Sequence, residues 1–461
     1  MDKTLKYLTD YATSLTYEQL APEVIHQVRR RVIDALGCAM GGYTEDIPKL
    51  VRAHAMEVTA KSGATILGTT HRTATELAAF ANGVMVRYLD FNDSGTSKEV
   101  GGHPSGNIPA ILAAAEYAGA NVELFICAVV LAYEIHGRLA DVVGLWRRGW
   151  DHASYMTLAS AAGAAKVLGL SHAQIADALS LAATTGFYLG QTRTGRVSKW
   201  KGCAEGNGSR NGVFAALMAK RGMTGPEAAF EGSKGFFKVA SSPVEMPVFG
   251  GNGEVFKIQI AQHKYFPSDH ETQCAAHPAI ELHKILANRI DEIERIAVDT
   301  YHLTMEVAAD SPEKWDPQTR ETADHSLPYI LALCLTQGGY WLDDFTEEKI
   351  KNPKLRPLMK KVQVRETEEC NRKFPESNSF RIEVTMRDGE KIVREIDHAK
   401  GDPQNPMTDE EIEIKFRKLA APVMSKEQMN RALDRLWHLE TMRDVSEVLS
   451  LFELKENIAL A

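Results

Sequence analysis

Apolar residues recur at intervals of three and four through about the first 250 residues. Two stretches show this most clearly: Val24, Ile25, Val28, Val32, Ile33, Leu36, and Val122, Ile126, Val129, Val130, Tyr133. That spacing predicts helices with one buried face. Ser/Thr followed three residues on by Glu/Gln pairs Thr16 with Gln19, Thr73 with Glu76, Ser171 with Gln174, Thr224 with Glu227, Thr408 with Glu411 and Ser425 with Gln428. Such pairs predict helix starts. Runs of alanine at 113–115, 159–165 and 182–183 suit helices that approach closely. The rhythm changes near residue 255. Residues 255–260 alternate like a strand, as do Ile293–Thr300, 362–365 and Phe380–Met386, the last followed by the turn sequence Arg387-Asp388-Gly389-Glu390. Helices are expected near 272–287 and 320–336 and again over the chain's last part. The predicted fold is mainly α: a large all-helical domain built from both chain ends, 1–265 and 401–461, with a smaller α+β domain inserted at 266–400.

Composition adds exclusions. The 461 residues are enough for two or three folding units with a large core. Lys and Arg number 53 against 61 Asp and Glu, a formal charge of −8, which argues against nucleic acid or an anionic membrane as partner. The longest apolar run, 125–133, stops at Glu134 and is too short to span a bilayer. The polar N-terminal residues do not read as a signal peptide. Six scattered cysteines, Cys38, Cys127, Cys203, Cys274, Cys334 and Cys370, form no C-x-x-C pair. They fit free thiols in a reducing, cytoplasmic setting and make a sequence-local iron–sulfur site a poor reading.

Three segments carry candidate chemistry. The first joins Asp90, Asn92, Asp93 and Ser94 to Gly101-Gly102-His103-Pro104-Ser105-Gly106-Asn107. His103 is a natural proton carrier near neutrality, with Asp90 or Asp93 to orient it. A capped polar loop is the bland alternative. The second, 192–210, sets Arg193, Arg196, Lys199, Lys201 and Arg210 against one acidic residue, Glu205. Its glycines, Gly202, Gly206, Gly208 and Gly212, lead to an apolar helix at 213–218 and suggest an anion-binding entry. The order of glycines fits neither a dinucleotide fingerprint nor a P-loop, and a solvated basic loop is the alternative. The third, 263–273, includes Lys264 and His270 at the apparent domain boundary; its histidine spacing is wrong for a zincin, so no metal is expected. His152 reads alone as a cap or a satisfied buried histidine, His136 as structural, and Asp324-His325-Ser326 as a helix cap with a catalytic dyad as the less favoured reading.

Taken in order, several motifs resemble the MmgE/PrpD family. They are Arg87-Tyr88-Leu89-Asp90-Phe91-Asn92-Asp93, Ser97-Lys98-Glu99, His103-Pro104-Ser105, Gly149-Trp150-Asp151-His152 and Trp200-Lys201-Gly202-Cys203-Ala204. Lys264-Tyr265-Phe266-Pro267-Ser268, the segment 319–329 and Asn405-Pro406-Met407-Thr408 complete the set. The match is nearest to the 2-methylcitrate dehydratase branch. The resemblance implies an inserted lid, a homodimer, an active site between the domains that needs no metal or other cofactor, and active-site positions at Asp90, Ser94, His103, His152, Lys201 and Lys264. Three departures flank that site. The dehydratase branch usually has Asp where Gly106 stands, as the decarboxylase branch does not; in the family an apolar residue is common where Lys199 stands, and Ala-Ala where Glu205-Gly206 stands.

The expected reaction is loss of water from a tricarboxylic hydroxy acid such as 2-methylcitrate. It needs a base for a proton beside a carboxylate, an acid for the departing hydroxyl, and cations on the carboxylate as charge develops. His103, with Asp90, His152 and Lys201, is expected to carry the proton chemistry. Lys201, Lys264, Arg193 and Arg196 supply positive charge, Ser94 a hydrogen bond, and Lys201 is an alternative base. Decarboxylation of an aconitate-type acid, epimerisation beside a carboxylate, and a non-catalytic helical scaffold are the competing readings.

Overall fold

A computed structural model describes residues 1–95, 97–240 and 244–455. The chain is mainly helical and divides into two compact units. The first comprises 1–192, 202–261 and 408–461, and the second 193–201 and 262–407.

In the first unit, helices α1 (Pro22–Gly41), α2 (Thr75–Arg87), α3 (Asn107–Ala118), α4 (Val122–Val142) and α5 (Ala153–Val167) form the interior. α4 packs on α5, and α2 packs on α3 and α1. Helix α5 is almost wholly buried, as its run of alanines requires. Helix α6 (Lys201–Lys220) begins at Lys201 rather than near Val213, so its glycines lie inside the helix and not in an anion-binding entry. They serve close packing instead. A Cβ on Gly206 would meet the Val84 nitrogen at 3.0 Å, and one on Gly212 would meet the Thr157 carbonyl oxygen at 2.6 Å. Only glycine lets α6 lie this near α2 and α5.

Helix α7 (His270–Leu286) and helix α8 (Leu327–Gln337) belong to the second unit, and helix α9 (Asp409–Ala420) returns to the first. α9 packs on α1 through a buried ion pair, Lys415 Nζ to Asp34 Oδ1 at 2.6 Å, and the same ammonium donates to the Phe91 carbonyl at 2.7 Å. The C-terminal segment thereby holds the loop that follows α2.

The second unit carries a four-stranded sheet with strands β1 (Ile293–Thr300), β2 (Val362–Glu366), β3 (Phe380–Met386) and β4 (Lys391–Ile396) in the order β2-β1-β3-β4. β1 and β2 are parallel, the other pairs antiparallel. β3 buries every second residue, and α7 covers β3 and β4. Gly389 turns the β3–β4 hairpin with φ +90°.

The predicted strand at 255–260 does not form. Lys257–Ile260 is a single helical turn. Its backbone groups are taken by side chains: Lys257 N donates to Glu134 Oε2 at 2.7 Å, and Arg31 donates to the Ile258 and Ala261 carbonyls. Of the six helix-start patterns, full capping boxes form at Ser171 and Thr408, and at Thr16 the Gln19 side chain accepts from the Thr16 N–H. Ser425 caps through its side chain, whereas Ala74 occupies the cap position before α2 and no helix begins after Thr224. All six cysteines are buried and none is in a disulfide.

Candidate active site

The first cluster is built at the end of α2. Arg87 is its last residue, and Asp90 three positions on adopts φ +52°, a left-handed conformation that Asp tolerates better than most residues. This bend returns the Asp90 carboxylate to Arg87, Nη1 to Oδ1 at 2.8 Å. On its other side Arg87 Nε donates to Glu205 Oε1 of α6 at 3.0 Å. All three side chains are buried. Burial opposes the charge on Arg87, but Asp90 and Glu205 outweigh it and hold the guanidinium firmly protonated.

Two histidines meet this triad. His103 and His152 stack edge to face with ring centres 5.6 Å apart. His152 Nε2 lies 2.7 Å from Glu205 Oε1, and His103 Nε2 stands 3.9 Å from both Glu205 Oε1 and Asp90 Oδ1. Burial would push the Glu205 carboxyl up, but Arg87 and the two histidines hold it well below the usual carboxylate range. His103 Nδ1 lies 2.6 Å from the Asp93 main-chain carbonyl, to which it donates, so in the neutral ring Nε2 is the basic nitrogen. The hydrogen bond that sets this ring therefore comes from Asp93, while the Asp90 carboxylate pairs with Arg87. Asp93 is itself fixed: its carboxylate accepts from Tyr133 Oη at 2.6 Å and from Ser105 N at 2.9 Å. His136 Nε2 is 3.0 Å from the Gly101 carbonyl, and burial pushes its pKa down to about 4, which suits a structural imidazole. Ser94 is buried on the same loop.

His103, His152 and Glu205 each present a possible metal ligand atom, all within 4.8 Å of one another. Arg87 already supplies the positive charge beside Glu205 that a cation would bring, so the set is better matched to proton transfer than to a resident metal.

A second cluster lies in the second unit. Lys201 Nζ donates to both oxygens of Asp324, at 3.0 and 3.1 Å, and lies 3.1 Å from His325 Nδ1. His325 Nδ1 is 2.6 Å from Asp324 Oδ1 and its Nε2 is 3.5 Å from Asp269 Oδ2. Burial and the Lys201 charge lower the His325 pKa. Lys264 is fully buried in this unit. Lys314 is buried as well, donates to the Val307 carbonyl at 2.9 Å, and is lowered by burial. Ser326 caps α8 by accepting from Tyr329 N.

The structure thus brings Asp90, His103 and His152 together and places Lys201 with Asp324 and His325. Arg193 is half-buried and Arg196 exposed, unlike the buried members of both clusters. Sequence reasoning assigned no role to Arg87, Glu205 or Lys314. The available signal for Glu205 was its place as the sole acid in a basic segment, one helical turn after Lys201. Two of the three departures also prove adjacent: a Cβ on Gly106 would lie 3.6 Å from Glu205 Oε2 and 2.8 Å from Met156 Cε.

Comparison with known proteins supplies the wider setting. Residues 6–248 match the MmgE/PrpD N-terminal domain and residues 266–439 the MmgE/PrpD C-terminal domain. A human cis-aconitate decarboxylase is 26% identical over 97% of this chain and 95% of its own length. A mitochondrial 2-methylcitrate dehydratase of Yarrowia lipolytica is 29% identical over 84% of this chain and 78% of its own. A 2-methylcitrate dehydratase of Salmonella typhimurium is 27% identical over 98% of this chain and 97% of its own. Among the described residues no helix is long and apolar enough to cross a membrane. Both domain models fall in order along nearly the whole sequence, and the chain belongs to the MmgE/PrpD family.

Proposed function

We propose that this protein is a lyase that removes water from a tricarboxylic hydroxy acid of the 2-methylcitrate type. The observation that carries this reading is His103: its Nδ1 hydrogen is committed to the Asp93 carbonyl, which leaves Nε2 to exchange a proton beside two carboxylates. In the proposed step a proton leaves the carbon next to a substrate carboxylate, a carbon–carbon double bond forms, and the carbon–oxygen bond of the neighbouring hydroxyl breaks. The hydroxyl takes a second proton and departs as water. Charge accumulates on the substrate carboxylate, and an ammonium fixed in advance lowers that cost. Lys201, held by Asp324, is assigned this part, with Lys264 as a second cation. His152 is assigned to the proton path and Ser94 to a substrate carboxylate. The relatives named 2-methylcitrate dehydratase support the substrate class. A homodimer in the cytoplasm belongs to the same reading.

Decarboxylation of cis-aconitate is the second reading. Gly106 and the full-length similarity to human cis-aconitate decarboxylase favour it. The test of the proton-transfer assignment is His103→Ala assayed on 2-methylcitrate and cis-aconitate. A loss of at least about 100-fold in kcat with an intact circular dichroism spectrum is expected. Full turnover by the variant would remove His103 from the mechanism.

A further inference from the structure

Glu205 is the point on which the first cluster converges. One oxygen, Oε1, accepts from Arg87 Nε at 3.0 Å, lies 2.7 Å from His152 Nε2 and stands 3.9 Å from His103 Nε2. A surface carboxylate in such a place would be screened; this one has no exposed surface. Its position is set by backbone packing, since Gly206 and Gly208 bring α6 against α2 and α5 close beside it. Arg87 stands between Asp90 and Glu205, so two buried negative charges face one guanidinium. A proton arriving on the neighbouring His103 imidazole places positive charge 3.9 Å from the Glu205 carboxylate and is favoured by it.

The two rings are held differently. His103 donates from Nδ1 to a carbonyl and keeps Nε2 for the exchange of a proton. His152 presents Nε2 to Glu205, and among the described residues its buried Nδ1 has no hydrogen-bond partner. A hydrogen on Nδ1 would be buried without an acceptor, whereas one on Nε2 has a carboxylate at hydrogen-bond distance. We propose that Glu205 is a positioning residue that holds His152 in its Nε2–H form and supplies the negative charge offsetting the positive charge His103 gains when Nε2 takes up a proton. The inference rests on the reading of His103 as the proton carrier. It assigns Glu205 no bond to the substrate: the proton moves between substrate and His103, and Glu205 acts through the ring.

Two substitutions separate the two parts of the assignment. Glu205→Gln keeps an acceptor oxygen for His152 and removes the charge. Glu205→Ala removes both. The full-length protein, labelled with ¹⁵N in its histidines, reports the ring forms by ¹⁵N–¹H correlation, with His152 assigned from the signal lost in His152→Asn. Wild type is expected to show hydrogen on His152 Nε2. Glu205→Gln is expected to keep that form, with kcat for the lyase reaction lowered about 100-fold and KM unchanged. Glu205→Ala is expected to shift His152 toward the Nδ1–H form, and Glu205→Asp, which restores the charge, to recover part of the kcat lost in Glu205→Gln. A wild-type His152 with Nε2 unprotonated would overturn the positioning role, and wild-type kcat in Glu205→Gln would overturn the charge role. Should Glu205→Gln not fold, the wild-type spectrum and the Glu205→Asp kinetics still decide: a Glu205→Asp enzyme as impaired as His103→Ala would contradict the charge role. Hydrogen on His152 Nε2 in a protein that turns over neither 2-methylcitrate nor cis-aconitate would uphold the ring assignment while the lyase reading failed.

Discussion

Arg87 Nε and Glu205 Oε1 lie 3.0 Å apart, with 1% and 0% of their side chains exposed. Removing one member of such a pair leaves an uncompensated charge in the interior. Arg87→Met leaves two carboxylates, Asp90 and Glu205, and is expected to cost about 3–5 kcal/mol in urea unfolding at pH 7. The cost should shrink on acidification. The folded protein holds Glu205 well below its ordinary value of 4.5, so its pairing contributes stability above that value and loses it as pH falls toward the folded one. A wild-type advantage over Arg87→Met that stayed constant from pH 7 to pH 4 would contradict this account.

Glu271 behaves in the opposite sense. Burial, reinforced by Asp269, pushes its pKa up to about 8, and its Oε2 lies 2.7 Å from Tyr301 Oη. Between its ordinary value of 4.5 and about 8 the folded state binds the proton that the unfolded chain has lost. Stability therefore falls with rising pH across that window and levels above it. Glu271→Gln, neutral at every pH, should gain on wild type by at least about 1.4 kcal/mol between pH 5 and pH 8.5 in denaturant titrations, the equivalent of one pKa unit. Equal differences at the two pH values would show that Glu271 titrates normally.

How far the sequence revealed this site follows from what periodicity encodes. The helical spacing of Val24 to Leu36 and of Val122 to Tyr133, and the alternation in Phe380–Met386, report one buried face each, and α1, α4 and β3 form there. The same alternation at 255–260 misleads because Glu134 and Arg31, distant in sequence, satisfy that backbone. The glycines of α6 look like loop residues when their neighbours are unknown. Their role appears only against Val84 and Thr157. His103 was legible because few residues move protons near neutrality. Arg87 and Glu205 were not, since a pairing across 118 positions leaves no local pattern. Asp324 and His325 looked like cap residues because Ser326, beside them, is one.

Lys201 is held by both Asp324 oxygens, and its assigned part is to face charge developing on substrate. Lys201→Met should lower kcat by about 100- to 1,000-fold, the cost of losing one fixed donor to a developing anion. The variant also removes the lysine that Asp324 pairs with, so the companion Lys201→Met/Asp324→Asn should restore melting temperature without restoring kcat. Recovery of activity in the double variant would mean that Lys201 serves only to neutralise Asp324.

Gly106 and Glu205 occupy neighbouring space: a methyl group placed on Gly106 would stand 3.6 Å from Glu205 Oε2. Gly106→Asp alone sets two buried carboxylates side by side and should destabilise the fold by at least about 1 kcal/mol. Gly106→Asp with Glu205→Ala moves the charge from α6 to the turn that precedes α3. The pair is expected to be more stable than the Gly106→Asp single variant and more active than Glu205→Ala. Strict additivity in a double-mutant cycle would show that the two positions do not share one charge.

The central claim is elimination of water, and product identification tests it most directly. Purified protein is offered 2-methylcitrate as mixed stereoisomers, citrate and cis-aconitate in separate reactions, each followed by mass spectrometry with His103→Ala alongside. The account predicts loss of one water from 2-methylcitrate, abolished in His103→Ala. Carbon dioxide from cis-aconitate with no reaction of 2-methylcitrate would contradict it and make Gly106 the mark of a decarboxylase.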